Sequence, residues 1–286
     1  MAEILATGIA TLDIINEVAG YPAEDDEVRT LSQRIRRGGN AGNTLCVLSQ
    51  LGHHGYLAAT LIDEADGKVI EADLTRHHIN LQFCPRLSEG KMPTSYITLN
   101  RQNGSRTIVH HRDCPELGFD AFQQIDLTQF DWLHFEGRHV PELQKMLQYC
   151  RQTAPGVPVS LEVEKPRQNI EDLFEMADWL FFSRHYTEAT GYCSPQALLT
   201  SLPSHYQATL TWGAQGAYGW HNGRMIHSAP TPIEHVVDSL GAGDTFNAGM
   251  IHSLLQQKSL EECLQFAGQL AAKKCQQYGF EHLIKS

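Results

Sequence analysis

Short apolar runs alternate with helix-period segments along almost the whole chain, and that alternation leaves few folds open. Residues 3–10, 57–61, 132–135, 157–164, 179–183 and 206–212 each read as a strand. Residues 40–52, 66–78, 140–152, 168–177 and a segment after Ser194 read as helices, and two more at 245–256 and 260–277 close the chain. In the first of them Leu45, Leu48 and Leu51 fall three apart, and Gly52 is placed to end it. Strands that hand over to helices and then to further strands build a mostly parallel sheet with helices on both faces. The expectation is therefore an α/β fold. Two stretches break the rhythm: residues 11–35 and 83–111 read as strands with no helix between them. Within the second, Asn103-Gly104 is a hairpin signal between strand-like residues 94–99 and 106–111, and a separate hairpin at 216–229 turns on Asn222-Gly223. We expect 11–35 and 83–111 to leave the body together as a small antiparallel β lid; edge strands of the main sheet are the other option. No long linker, repeat or low-complexity stretch interrupts residues 1–286, which read as one domain.

Charge and composition narrow the partners. The net charge of −11 lacks the basic footprint of a nucleic-acid binder. No apolar run approaches the roughly 20 residues of a membrane span. The first residues have no basic segment and soon meet Asp13, so no secretory signal is expected. Seven cysteines are scattered with no C-x-x-C pair, which reads as reduced thiols in a cytoplasmic protein. The histidines are dispersed, and the adjacent pairs His53-His54, His77-His78 and His110-His111 point to opposite faces if on strands. No metal site is expected from them.

The most specific stretch runs from Val236 to Met250. An apolar pair leads into Asp238, then come Gly241-Ala242-Gly243 with an acid, Asp244, directly behind. Glycines let successive backbone N–H groups turn inward, and a helix from Thr245 adds partial positive charge at its start. Together they make a seat for a phosphate-like anion. A carboxylate repels such an anion, so Asp244 needs another role. An acid there fits a proton that must be removed beside the phosphate, as a kinase acting on a hydroxyl requires. A tight turn before a helix is the plainer alternative. No Gly-Lys-Ser/Thr follows, so this is not a Walker loop, and it lacks the spacing of a dinucleotide fingerprint.

A second motif, Arg37-Gly38-Gly39-Asn40-Ala41-Gly42-Asn43, opens the first helix. Asn40 and Asn43 are three apart and share a face if the helix starts here. Two carboxamides that both donate and accept suit polyol hydroxyls; Asn40 as a helix N-cap is the competing role. The pairing of Gly-Gly-Asn-x-x-Asn with a distant Asp-x-x-Gly-Ala-Gly-Asp resembles the two signatures of the ribokinase-type (PfkB) carbohydrate kinases. Tyr21-Pro-Ala-Glu-Asp-Asp-Glu-Val-Arg, Leu31-Ser-Gln-Arg, Asp126-Leu-Thr-Gln-Phe, Phe135-Glu-Gly-Arg, Glu162-Val-Glu-Lys-Pro-Arg167 and Ala272-Lys-Lys-Cys275 are similar to the ketohexokinase branch in particular.

The resemblance implies a ribokinase-like fold with a β lid, ATP and Mg2+ as cofactors with K+ left open, and a homodimer formed through the lid. It implies Asp244 as catalytic base and the N–H groups of Gly241, Ala242 and Gly243 as the hole for the transferring phosphoryl group. Asp13, Gly39, Asn40 and Asn43 match sugar ligands. Asp25 matches a lid acid that reaches sugar bound in a partner subunit, with a solvated acidic turn as its alternative. Arg106 resembles an arginine near the nucleotide phosphates, and Gly213, Ala214, Gln215 and Gly216 match a turn beside the nucleotide. Phe246 and Cys275 match adenine-side positions, with core roles equally open. Three positions depart from the pattern. Ser239 stands where Thr is usual, Gly42 where ketohexokinase has Ser, and Ser183-Arg184-His185-Tyr186 lacks the Asn-x-x-Glu that many relatives carry. The expected activity is transfer of the ATP γ-phosphate to the 1-hydroxyl of a ketohexose such as fructose. Ribose, a 2-keto-3-deoxy acid or a nucleoside are rival acceptors, and a non-catalytic sensor a more distant rival. A phosphorylated acceptor would need a cationic pocket, for which only Arg36 and Arg37 stand near Gly38–Asn40.

Overall fold

A computed structural model describes residues 1–284. The chain opens with β1 (Glu3–Thr7), β2 (Thr11–Val18) and β3 (Ser32–Gly38), then α1 (Asn40–Gln50) and β4 (His54–Ala58). A short β5 (Leu61–Ile62), α2 (Ala65–Arg76), β6 (Ile79–Asn80) and β7 (Arg86–Leu87) follow, and a long hairpin of β8 (Lys91–Asn100) and β9 (Arg106–Asp113). Next come α3 (Phe119–Phe122), β10 (Trp132–Glu136), α4 (Val140–Thr153), β11 (Val159–Val163), β12 (Trp179–Phe182), α5 (Arg184–Ala189) and α6 (Pro195–Ser201). The last segment holds β13 (Ala208–Thr211), the hairpin β14 (Ala217–His221) and β15 (Arg224–Ser228), then α7 (Ala242–Leu255) and α8 (Leu260–Cys275).

The body is a nine-stranded sheet in the order β15-β14-β13-β12-β11-β10-β1-β4-β6. It is parallel except where β14 and β15 fold back. Strand alternation splits its side chains between two cores. Ile4 and Ala6 pack with α1, α2, α7 and α8 on one face, whereas Leu5, Leu133 and Phe135 pack with α3, α4 and α6 on the other. With both faces covered, β10, β11 and β12 are buried at every position.

β2, β3, β8 and β9 form a separate four-stranded sheet in the order β3-β2-β8-β9, the expected lid. It is antiparallel except between β2 and β8, which run parallel. Three sequence expectations need correcting. Residues 170–176 form a 3-10 helix and not an α-helix, because Ile170, Leu173 and Met176 repeat at the three-residue period of that helix. The short α5 was not expected; Ser183 caps it by accepting the N–H of Tyr186 at 3.0 Å. α7 begins at Ala242, so Asp244 lies inside its first turn and not ahead of it.

Candidate active site

Two helix N-termini define the site. α1 starts behind Gly39, whose φ of 99° and proximity to the Ile9 carbonyl exclude any Cβ. α7 starts behind Gly241 at φ 76°, where the Phe280 ring fills the space a Cβ would need. The two helices pack on each other, so both N-termini open into one cavity of about 550 Å³. The inner face of the lid roofs it. Asp13 is paired with Arg36 on β3 and Ser95 on β8, so these side chains share that face, and Arg34, Ile15, Ile97, Arg106, Ile108 and His110 extend it. Gly38 has no side chain because one would strike the Asp13 carboxylate and the Thr11 hydroxyl.

Asp244 is buried, and Asn43 Nδ2 donates to its Oδ2 at 2.6 Å. Burial pushes its carboxyl up to about 7, against the pull of the Asn43 bond; Glu164 and Glu136 raise it and Arg37 lowers it. A carboxylate poised near neutrality is what a general base needs. Gly243 beside it has open space where a Cβ would stand, so its backbone faces the cavity unobstructed.

Carboxylates gather on the wall beside the N-terminus of α1. Asn40, expected as a sugar ligand, donates from Nδ2 to both Glu162 oxygens at 3.2 Å and to Glu164 at 3.4 Å. It does not cap α1. Glu136 takes that part, accepting the N–H of Ala41 at 2.6 Å and of Ile9 at 3.4 Å. Asn247 donates to Glu162 at 3.3 Å from the next turn of α7. Burial pushes Glu136 up to about 7 and Glu162 well above its ordinary value, the latter helped by its acidic neighbours. Asp13 is raised too, by burial, while Ser95, Thr11 and Arg37 oppose the shift. Site roles for Glu136, Glu162 and Asn247 were missed in the sequence. For Glu136 and Glu162 the available signal was an acid within a mostly apolar strand, since burying a charge there is costly without a purpose.

The cavity also holds more cations than Arg36 and Arg37. Arg138, Lys165 and Arg167 arrive from the loops after β10 and β11. Arg138 is paired with Glu116 and Glu136, and Lys165 with Glu164; Arg167 Nε has no hydrogen-bond partner among the described residues.

Beside the N-terminus of α7, Lys274 braces the loop ahead of that helix. It is fully buried, and Nζ donates to Asp238 Oδ2 at 2.8 Å and to the Asp238 carbonyl at 3.0 Å. The N–H groups of Val237 and Asp238 both bond to the carbonyl of Cys275. Arg106 reaches from the lid to Ser239 Oγ at 3.4 Å. The cavity thus brings together Asp13, Gly39, Asn40, Asn43, Arg106, Gly241, Gly243 and Asp244. Other expected residues lie outside it. Ala242 is the first residue of α7 and does not line the cavity. Asp25 sits exposed in the lid loop with φ 64°. Gly213–Gln215 form a 3-10 turn before Gly216 and do not line the cavity either. Phe246 is 2% exposed, on the core side of α7 among the residues shared with α8, which fits the core role left open for it, and it does not line the cavity. Cys275 is half-buried, and its backbone carbonyl is what touches the loop.

The family model described as pfkB family carbohydrate kinase matches residues 1–285. Ketohexokinase of Mus musculus is 38% identical over 294 residues, covering 99% of each chain. Among solved structures, an adenosine kinase from Sinorhizobium meliloti superposes with a TM-score of 0.80 at 21% identity, covering 97% of this chain and 95% of the other. Arabidopsis thaliana ribokinase complexed with ribose and ATP gives a TM-score of 0.78 at 21% identity, covering 97% and 94%. A phosphotransferase that acts on a sugar hydroxyl is the class that this fold and these relatives define. The chain belongs to the pfkB family of carbohydrate kinases.

Proposed function

We propose that this sugar kinase transfers the γ-phosphoryl group of ATP to the 1-hydroxyl of a ketohexose such as fructose. The observation that carries the reading is the buried Asp244 carboxylate, held by Asn43 at the mouth of an amide-lined helix N-terminus. Asp13, Gly39, Asn40 and Asn43 bind and orient the sugar. Asp244 takes the proton of the reacting hydroxyl as its oxygen bonds to the γ-phosphorus and the bond to ADP breaks. The N–H groups of Gly241, Ala242 and Gly243 receive the charge on the transferring group, and Arg106 approaches the phosphates. The lid excludes water, which would otherwise accept the phosphoryl group. Gly213–Gly216 and Cys275 border the nucleotide beyond the cavity. The mouse ketohexokinase supports the choice of acceptor.

Among the described residues no three His, Cys, Asp or Glu side chains converge as a metal cage. Glu136, Glu162 and Glu164 nevertheless crowd together, with Arg138 beside Glu136 and Lys165 beside Glu164. That donor set fits Mg2+ carried in on the triphosphate with most of its waters, which Glu162 and Glu164 would hold. When bound, the ion neutralises the β- and γ-phosphates. A K+ requirement is decided by assay with and without the ion. Seven free thiols support a reducing cytoplasm. The exposed apolar outer face of the lid supports a homodimer, in which Asp25 would serve the neighbouring site.

Arg167, with its unpartnered Nε, favours a second reading in which the acceptor carries an acid group, as a 2-keto-3-deoxy acid does. An ADP-release assay with fructose, ribose and 2-keto-3-deoxygluconate separates the two. We expect fructose to give the highest kcat/KM, rising with pH through a midpoint of about 7. The Asp244→Asn variant is expected to lose about 10²–10⁴-fold in kcat while still binding fructose. Turnover near the parental rate would remove Asp244 as the base.

A further inference from the structure

Arg37 is a buried guanidinium one layer behind the reacting groups. It leaves β3 on the face opposite Arg34 and Arg36, at the back of the same cavity, and its side chain is 2% exposed. Nε donates to Asp73 Oδ2 of α2 at 2.9 Å, Nη1 to Asn43 Oδ1 at 2.9 Å, and Nη2 to the Cys46 sulfur at 3.2 Å. Asp73 is itself held by Arg76. Asn43 passes the chain on, donating from Nδ2 to Asp244. A guanidinium has donors and no acceptor, so the carboxamide atom that it meets must be the oxygen. The carboxamide of Asn43 can therefore stand only one way round, with Oδ1 on Arg37 and Nδ2 on Asp244. Gly42 makes room for this arrangement: a Cβ there would lie 2.8 Å from Arg37 Nη1.

We propose that Arg37 is a positioning residue for phosphoryl transfer. Anchored by Asp73, it fixes which end of the Asn43 carboxamide faces Asp244. The consequence is chemical. With Nδ2 toward it, Asp244 meets a donor and is held as a carboxylate, ready to accept a proton. Without Arg37 the amide is free to turn and present Oδ1, which bonds to a protonated Asp244 and keeps the acid in the wrong state for a base. The other charged groups do not supply this bias. Glu136, Glu162 and Glu164 near Asp244 and Asp13 on the lid are acids, and among the described residues the cavity's cations, Arg34, Arg36, Arg106, Arg138, Lys165 and Arg167, bond to neither Asn43 nor the Asp244 carboxylate. Around Arg37 stand Asp73, Arg76 and His77 from α2, Cys46 from α1 and Glu281 from the C-terminal segment. Burial holds Cys46 as a neutral thiol, its pKa pushed up to about 11, so Asp73 is the anion that balances Arg37.

The inference rests on Asp244 being the base, and the experiment separates the two ideas. The proton of Asp244 is read without turnover, from the carboxyl stretching band that disappears in Asp244→Asn, followed against pH by infrared difference spectroscopy. In parallel, ADP release with MgATP and D-fructose gives kcat/KM against pH. In Arg37→Met we expect the band to titrate about one pH unit higher, the kcat/KM midpoint to rise with it, and kcat to fall about tenfold or more with little change in the fructose KM. Arg37→Lys should recover part of the shift. If Arg37→Met does not fold, Gly42→Ala, which crowds the guanidinium without removing it, should move the band the same way. An unchanged titration in the folded variant, with Asp244→Asn inactive, overturns the role of Arg37 alone. An active Asp244→Asn overturns the base itself.

Discussion

Fully buried Lys274 pairs with half-buried Asp238, 36 residues away in sequence, its ammonium donating to both a carboxylate oxygen and a carbonyl of the loop that carries Gly241–Gly243. Its hydrocarbon stem is packed from all sides, since the side chain has no exposure. Removing one partner of such a pair strands the other charge, at a cost of about 3 kcal/mol. Lys274→Met should therefore lower stability by that order in urea unfolding. It should also raise the KM for ATP more than the KM for the sugar, because the loop and not the lid loses its brace. Equal changes in both would mean that the pair holds the whole site and not the phosphate loop. Nothing in the sequence marks Lys274 as buried. On helical spacing it reads like any lysine near the end of a helix, and only the packing of the 236–241 segment over α8 encloses it. Gly39, Asn43 and Asp244 stand out in the sequence for the opposite reason: each lies in a short motif of glycines and polar residues, although Asn43 and Asp244 meet only in the fold.

At the scale of elements, the lid is the part whose two faces ask for different surroundings. Its inner face lines the cavity. On its outer face Ile35, Ile14, Tyr96 and Val109 stand in register across all four strands. Ile35 is 51%, Tyr96 43% and Val109 65% exposed. A continuous apolar row on an exposed sheet is a surface that association would cover. Tyr96→Glu combined with Val109→Glu should keep the protein monomeric in sedimentation at concentrations where the parent is dimeric, and should raise the KM for fructose if Asp25 acts between subunits. An unchanged sedimentation profile would place the interface elsewhere. The strand–helix alternation made the body readable because each unit closes locally. The six-residue α5 escaped because its helical signal is a single cap. The 3-10 segment was misread because apolar residues three apart suit both helix types, and the tie is broken by how Ile170 and Leu173 seat in the core.

For the whole molecule, two sets of buried groups pull its pH dependence in opposite directions. Asp244 and Glu136 titrate near 7 when folded, against ordinary values of 3.8 and 4.5. The folded chain holds their protons after the unfolded chain has released them, so they lower stability as pH rises from about 4 to about 7. Buried His53 and His134 are lowered by burial to about 4 and about 3, from an ordinary 6.5. They stay neutral when the unfolded chain would take up protons, so stability falls as pH drops below 6.5. Above 6.5 the histidines are neutral in both states and the carboxylates alone still change. Melting temperature should therefore decline between pH 6.5 and 8, and Asp244→Asn should remove part of the decline, on the order of 1 kcal/mol or a few degrees. A variant with the parental slope would disprove the contribution of this carboxylate. The ionisation of Asp244 that strains the fold is also the one that would arm it as the proposed base. A formulation chosen because it gives the sharpest, highest melting curve would thus select the acidic side, where the enzyme keeps longest and works least. Storage and assay call for different buffers, and a weak signal in a screen run at the storage pH would say nothing against an acceptor.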